Sequence, residues 1–359
     1  MLTALRGGCI YVSRDTMAEL RKDPLTHRWV IVSTERTKSP TEFISSTTVS
    51  ESETGKTDPL AEGNEKMTPP EIYAFRPKAG PANSGGWKVR VIPNTYPVLR
   101  IEGQNRAEGV GIYDMMDGVG AHEIIIETPK PDQPLETLPL EDIADVFKTF
   151  KLRMIDLEHD MRFRYLLVFK NVGKVAGASL THSHSQLIAT PVVPKIVQDK
   201  LDMSEAYYQD KERSIFEDIL QQELRDNHRI VYQNSGFVAF CPYASRFPFE
   251  ISIFPRRQMC DFYASEKNDF LQIADCYKVV IQKLNKALNH PHYNCLLYTA
   301  PTRSSTAAAR LNGLEKYFRW HLEIFPRVTM ITGFEVGSGF YINPVPPEAA
   351  AQFMQDVQV

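Results

Sequence analysis

The stretch THSHSQLIATP, residues 181–191, sets two histidines and a glutamine at alternate positions. Alternate residues of a strand share a face. His182, His184 and Gln186 would then point one way, and Ser183 and Ser185 the other. Two imidazoles and an amide on one face suit a small anionic group. A neutral imidazole can also act as a nucleophile, best when its second nitrogen is held by a hydrogen bond that fixes the tautomer. The same spacing fits a polar strand whose histidines are merely satisfied in a core, so spacing alone leaves both readings open.

The residues just upstream favour chemistry. Asn171 closes the apolar run RYLLVFKN, and Gly173 and Gly177 follow it closely. Glycine lets backbone N–H groups approach an anion. Asn171 and Ser179 carry side chains that can donate to phosphate oxygens. A phosphate cradle leading into a histidine is what attack on phosphorus requires. The pentavalent transition state gains from donors already aimed at its oxygens.

These residues must be carried by regular elements, and the chain supplies them twice. WKVRVIPN (87–94) and HEIIIET (122–128) read as strands. A helical pattern with 3.6-residue spacing follows over 140–160, then a strand over 164–171, then the histidine stretch itself. In the second half FEISIFP (249–255) reads as a strand and 269–288 as a helix. YNCLLYT (293–299) and WHLEIFP (320–326) read as strands. The repeated order predicts a duplicated α+β unit. The break falls in an acidic, helical linker near 195–225, while the polar, turn-rich segment 43–70 reads as a long loop. On the strand equivalent to the histidine stretch stand Arg319, Trp320, His321 and Glu323, with no H-x-H. The second half is therefore expected to be a scaffold that lends pocket residues.

Bulk properties narrow the class. The chain has 359 residues and a formal net charge of -3, so two domains of roughly 100–200 residues are expected. Hydrophobic residues make up 43%, enough for a sizeable core. The balanced charge argues against a nucleic-acid partner, whose binding rests on clustered cations. No apolar run nears the ~20 residues that span a bilayer. Residues 1–16 show no secretory signal and precede a second methionine, Met17, so 1–18 is expected to be a disordered extension. The five cysteines (Cys9, Cys241, Cys260, Cys276, Cys295) form no C-x-x-C, which fits a reducing cytoplasm.

The pattern N-x-G-x-x-x-G-x-S-x-x-H-x-H-x-Q, running from Asn171 to Gln186, resembles the active-site motif of the galactose-1-phosphate uridylyltransferase family, in the histidine-triad superfamily. Similar segments run along the chain: LRKDPLTHRWVIVSTER, VRVIPNTYPVL, FCPYASRFPFEISIFP and GFEVGSGFYINPVPPE. The HSHSQ spelling also resembles the ADP-glucose phosphorylase branch. The resemblance implies an α+β fold of duplicated histidine-triad-like units, mainly antiparallel sheets flanked by helices. A catalytic half would span 19–195 and a degenerate half 196–359. It implies that His184 is the nucleophile and that Gln186 bonds the transferred phosphoryl group. Asn171, Ser179 and Arg36 would bind phosphate, Asn94 and Tyr96 the nucleotide, and Phe334 and Glu335 the hexose. Substrates would be a nucleotide sugar and a sugar 1-phosphate or phosphate, and the assembly a homodimer. Two activities follow, with uridylyl exchange as the commoner one in the family and phosphorolysis of ADP-glucose as the alternative. A non-catalytic nucleotide-sugar binder is the alternative of another class, motivated by eroded metal ligands.

That erosion is visible in the family's two zinc sites. Where relatives carry C-x-x-C, this chain has Asp58-Pro-Leu-Ala61. The remaining ligands match His122 and His182, giving with Asp58 three candidates where structural zinc takes four. Zinc at this first site is expected to be weak or absent. At the second site the ligand positions read Ser214, Glu217, Gln258 and Arg319, so that site is expected to be lost.

Overall fold

The structure, a computed structural model, describes residues 18–32, 39–43, 57–303 and 313–359. Arg36, most of the 1–18 extension and much of the 43–70 loop lie outside the described residues.

The first half runs β1 (Glu19–Lys22), β2 (Trp29–Val32), β3 (Tyr73–Phe75), β4 (Val89–Pro93), β5 (Ala107–Val110), β6 (Tyr113–Met116), β7 (Ala121–Ile126), α1 (Leu140–Glu158), β8 (Tyr165–Val172) and β9 (His184–Thr190). Helices α2 (Lys195–Lys211) and α3 (Ile215–Asp226) follow. The second half runs β10 (Ile230–Gln233), β11 (Phe237–Phe240), β12 (Ile251–Pro255), α4 (Lys267–Leu288), β13 (Tyr293–Tyr298), α5 (Leu314–Tyr317), β14 (His321–Pro326), α6 (Gly333–Ser338), β15 (Tyr341–Asn343) and α7 (Pro347–Asp356).

Ten strands form one sheet in the order β10-β11-β12-β14-β13-β8-β9-β7-β4-β3. The order is a palindrome about the β13–β8 pair. Phe169 and Leu296 pair across that centre. Gln186 pairs with Phe169 on one side, and Glu323 with Leu296 on the other. His184 and His321 therefore hold equivalent places, as do Gln186 and Glu323.

One face of the sheet is closed by α1 and α4. Helix α1 begins after Pro139 with Glu141 and Asp142 in its first turn, where carboxylates suit the helix dipole. Helix α4 opens on a capping box between Glu266 and Asp269, which satisfies end N–H groups reciprocally. Their apolar stripes meet, with Phe147 edge-on to Tyr277 at 5.9 Å. Each such fully buried side chain stabilises the fold by about 1.5–3 kcal/mol. On the opposite face of the second half, α2 and α3 pack Val197, Leu201 and Phe216 over Phe240 and Phe254. On the opposite face of the first half no α-helix stands among the described residues. Leu60 and Trp87 cover Ile92, Ile124 and Ile126 instead. That lighter cover leaves the first half's face free for a site.

Candidate active site

The strand period places the residues of the histidine stretch as its alternation requires. His184 and Gln186 lie on the helix-free face, while Leu187 and Ala189 join the core under α1 and α4. The His184 ring is buried at 5% exposure. Its Nδ1–H donates to the His182 carbonyl at 2.7 Å. That bond puts the lone pair on Nε2, and no described residue occupies Nε2. Burial holds the imidazole below its ordinary pKa, which keeps the ring neutral.

The reverse face of the same strand is anchored in charge. Ser183 and Ser185 each donate to the Glu127 carboxylate at 2.6 Å. The Lys170 ammonium lies 2.5 Å from Glu127, donates to Ser183 at 3.0 Å and reaches the His184 carbonyl at 3.3 Å. All four side chains are buried. Neither Lys170 nor Glu127 is a candidate from motif reading. The signal for them is a charged residue at an inward position of an apolar strand, in RYLLVFKN and in HEIIIET.

The glycine turn upstream is braced from the second half. The Asn171 oxygen accepts from Asn294 Nδ2 at 2.8 Å, so its amide nitrogen is turned outward as a donor. Asn294 also holds the Ala176 carbonyl at 2.8 Å. Gly173 has φ +82°, and a Cβ there would lie 2.1 Å from the His292 ring. Only glycine fits, because both the backbone angle and the ring exclude a side chain. The Val175 N–H donates to His292 Nδ1 at 3.2 Å. Ser179 is exposed beside the turn.

Gln186 and His122 meet directly. Gln186 Oε1 is 2.8 Å from His122 Nε2. The Val98 N–H donates to His122 Nδ1 at 3.3 Å. Asn94 approaches the same ring, and its Oδ1 accepts the Tyr96 N–H at 2.9 Å. The Tyr96 ring is exposed.

This placement corrects the metal ligand set. His182 has both nitrogens engaged, Nδ1 with Asp58 at 2.6 Å and Nε2 with the Thr128 carbonyl at 2.8 Å. His122 lies six residues before Thr128 along the chain, about 20 Å away at ~3.3 Å per strand residue. His122 cannot join Asp58 and His182 around one ion. Among the described residues no group of three or more His, Cys, Asp or Glu is placed to hold a metal. At the second set of positions, the Arg319 guanidinium bonds Glu217 and Gln258, the latter at 3.0 Å, and Ser214 donates to the Tyr317 carbonyl at 3.0 Å. Those four positions close on protein partners.

Phe334 and Glu335 stand apart from this group. They lie in α6, beside the small sheet of β1, β2 and β15. The Glu335 carboxylate caps its own helix, accepting from the Thr332 N–H at 2.7 Å and the Ile342 N–H at 3.2 Å. Phe334 is half exposed, edge-on to Phe340. Among the described contacts, none joins either residue to β9.

The equivalent place in the second half is plugged. His321 Nδ1 faces the Arg319 carbonyl at 2.9 Å, the same lock that holds His184. Its Nε2, however, meets the Lys200 ammonium at 2.7 Å. Lys200 reaches in from α2 and also bonds Glu323 at 2.6 Å. A lysine thus fills the space a reacting phosphoryl would need. A cavity of about 1330 Å³ lies beyond Lys200, between the sheet and α2 and α3. Two of its arginines are paired with carboxylates, Arg229 with Glu223 and Arg246 with Glu250.

Residues 11–194 match the family described as galactose-1-phosphate uridyl transferase, N-terminal domain, and 146–357 match a domain of unknown function. The chain is 34% identical to ADP-glucose phosphorylase of Arabidopsis thaliana, covering 95% of this chain and 93% of that protein. It is 28% identical to galactose-1-phosphate uridylyltransferase of Thermotoga maritima, covering 96% and 99%. Among solved structures, an ADP-glucose phosphorylase from Arabidopsis thaliana with bound ADP-glucose superposes with a TM-score of 0.78 at 33% identity, over 96% of this chain and 100% of that one. A uridylyltransferase structure shares the fold, with a TM-score of 0.70 at 24% identity over 94% and 97%. No helix among the described residues is long and apolar enough to cross a membrane.

Proposed function

Since the chain belongs to the galactose-1-phosphate uridylyltransferase family, we propose that it transfers the nucleotidyl group of ADP-glucose to phosphate through a nucleotidyl-histidine at His184. The observation that carries the mechanism is the bond from His184 Nδ1–H to the His182 carbonyl, which leaves Nε2 as the free, neutral nucleophile. Nε2 attacks the α-phosphorus. The bond from phosphorus to the bridging oxygen breaks, and glucose 1-phosphate leaves. The imidazolium formed keeps its Nδ1 proton on the carbonyl. Phosphate then attacks the same phosphorus, the P–Nε2 bond breaks, and ADP leaves. The Asn171 amide, the Gln186 amide and the Ser179 hydroxyl are the donors that would meet the developing charge; the N–H groups of residues 175–178 are spent within the turn and on His292. No step needs a metal. Arg36 would add a cation to the phosphates, and a homodimer is the assembly that the family resemblance implies.

The adenine nucleotide is favoured by the whole-chain likeness to ADP-glucose phosphorylase, at 34% identity against 28% for the uridylyltransferase. Uridylyl exchange is the second reading, supported by that same 28% relative. Incubation with ADP-glucose and, separately, UDP-glucose, without acceptor, separates them by intact mass. An AMP adduct is expected. A UMP adduct alone would move the reading to uridylyl transfer. Binding with no adduct would make the chain a non-catalytic binder.

The reaction also has a predicted acid limit. Burial lowers the His184 pKa from its ordinary 6.5. Protonation at Nε2 removes the nucleophile, so activity is lost only as pH falls through that lowered value. Adduct formation followed against pH is therefore expected to show its acid limb centred below 6.5. An acid limb centred above 6.5 would contradict the assignment.

A further inference from the structure

We infer that His122 is a positioning residue, which aims the Gln186 amide at the transferred phosphoryl group and ties that aim to the Asn94–Val98 loop. The inference rests on the reading above and deepens it.

The ring's partners decide its tautomer. The Val98 backbone N–H can only donate, so Nδ1 accepts it at 3.3 Å. A neutral ring that accepts at Nδ1 carries its proton on Nε2. That Nε2–H donates to Gln186 Oε1 at 2.8 Å. Asn94 is held with its oxygen on the Tyr96 N–H, and its nitrogen stands 3.1 Å from the same Nε2, so the donor-only Val98 N–H at Nδ1 is the contact that sets the tautomer. The ring is buried, and burial favours its neutral form.

The consequence falls on Gln186. A glutamine side chain has one oxygen and one NH2, and either can face a ligand. With its oxygen engaged by His122, the NH2 is the group left to point elsewhere. Gln186 and His184 lie on one face of β9, two residues apart. The amide therefore reaches the phosphoryl side as a donor, which is the polarity a phosphoryl oxygen needs. In the reversed orientation the oxygen would face phosphate oxygens, and the NH2 would face the His122 Nε2–H. Both contacts would be repulsive.

The far side of His122 is the loop. Val98 N–H fixes the ring, and the Asn94 N–H bonds the His122 carbonyl at 2.8 Å. The exposed Tyr96 sits between them. A nucleotide gripped by that loop rests on the same segment that sets the ring, which in turn sets the phosphoryl donor. Grip on the nucleotide and alignment of the reacting group are thereby linked through one side chain.

The test is a double-mutant cycle on single-turnover nucleotidylation, read by intact mass at saturating ADP-glucose, or at saturating UDP-glucose if that is the sugar that labels the protein. His122→Phe keeps a ring and loses both bonds. The expected loss is roughly 10- to 100-fold, the scale of a small misplacement of a reacting group. In a Gln186→Ala background the same change is expected to cost nothing further, because its route is already cut. A merely structural role would give equal losses in both backgrounds, and that result overturns the inference, as does no loss in the first. If His122→Phe fails to fold, His122→Gln carries the test. Its amide can donate to Gln186, and it is expected to react faster than His122→Ala; equal rates overturn the inference. No adduct in the unaltered protein overturns the reading and the inference together, whereas an adduct with an additive cycle overturns the inference alone.

Discussion

Replacing His184 by alanine is expected to lower nucleotide transfer by about 10⁴-fold or more, the scale seen when a covalent nucleophile is removed. The size follows from what the residue does. Asn171, Gln186 and Ser179 would still be there to bind phosphate, so binding of the nucleotide sugar should survive. What disappears is the one free imidazole nitrogen that the described residues offer to phosphorus on this face. The second half gives no rescue, because Lys200 covers His321 Nε2 at 2.7 Å. The check is intact mass after incubation with ADP-glucose, beside a binding measurement. An undiminished adduct in His184→Ala would mean that another group attacks.

The second large effect lies behind the nucleophile. Lys170→Met is expected to destabilise the fold by about 3–5 kcal/mol, the usual cost of stranding one charge of a buried pair. Glu127 is 1% exposed and would keep only the Ser183 and Ser185 hydroxyls. Burial pushes the Glu127 carboxyl up, and the Lys170 charge is the largest effect holding it down. Without Lys170 burial wins, and the folded-state pKa rises above the unfolded one. Such a group favours the folded state at low pH, and that benefit is lost as pH rises. The deficit should therefore be largest at neutral pH and shrink toward pH 4.5. The double variant Lys170→Met, Glu127→Gln should recover most of the loss. Urea midpoints against pH measure all three. A single-variant loss under ~1 kcal/mol would show that the pair does not hold β9 in place.

How much of this could be read beforehand depends on the range of each interaction. The alternation in HSHSQ was legible because a strand's period of two assigns faces without any tertiary knowledge. The repeated strand–helix–strand–strand order was legible for the same reason, and it appears as the palindromic sheet. The exposed hairpin of β5 and β6 was not legible, since no residue in it is buried and it carries no apolar pattern. Nor were the three-residue strands β3 and β15, too short to show a period. His122 went wrong for a sharper reason. Family position made it a metal ligand, but the β7–β9 register sets it opposite Ile188, beside Gln186 and far from His182. Register between strands some sixty residues apart is a property of the sheet, not of either segment. Lys200 was out of reach likewise, since it stands on a helix and meets a histidine 121 residues later. Motif reading also did not place Phe334 and Glu335: within one chain α6 stands apart from β9, and the Glu335 carboxylate caps its own helix.

The central claim is that one ring nitrogen becomes bonded to phosphorus. The most direct test is to treat the protein with ADP-glucose without phosphate, digest it under mildly alkaline conditions and locate the nucleotide by fragment mass. The account predicts an AMP group on the peptide containing residues 181–191, carried by His184, released as ADP when phosphate is added before digestion. A nucleotide on His182, His122, His321 or any other residue, or a label that phosphate does not discharge, would contradict it.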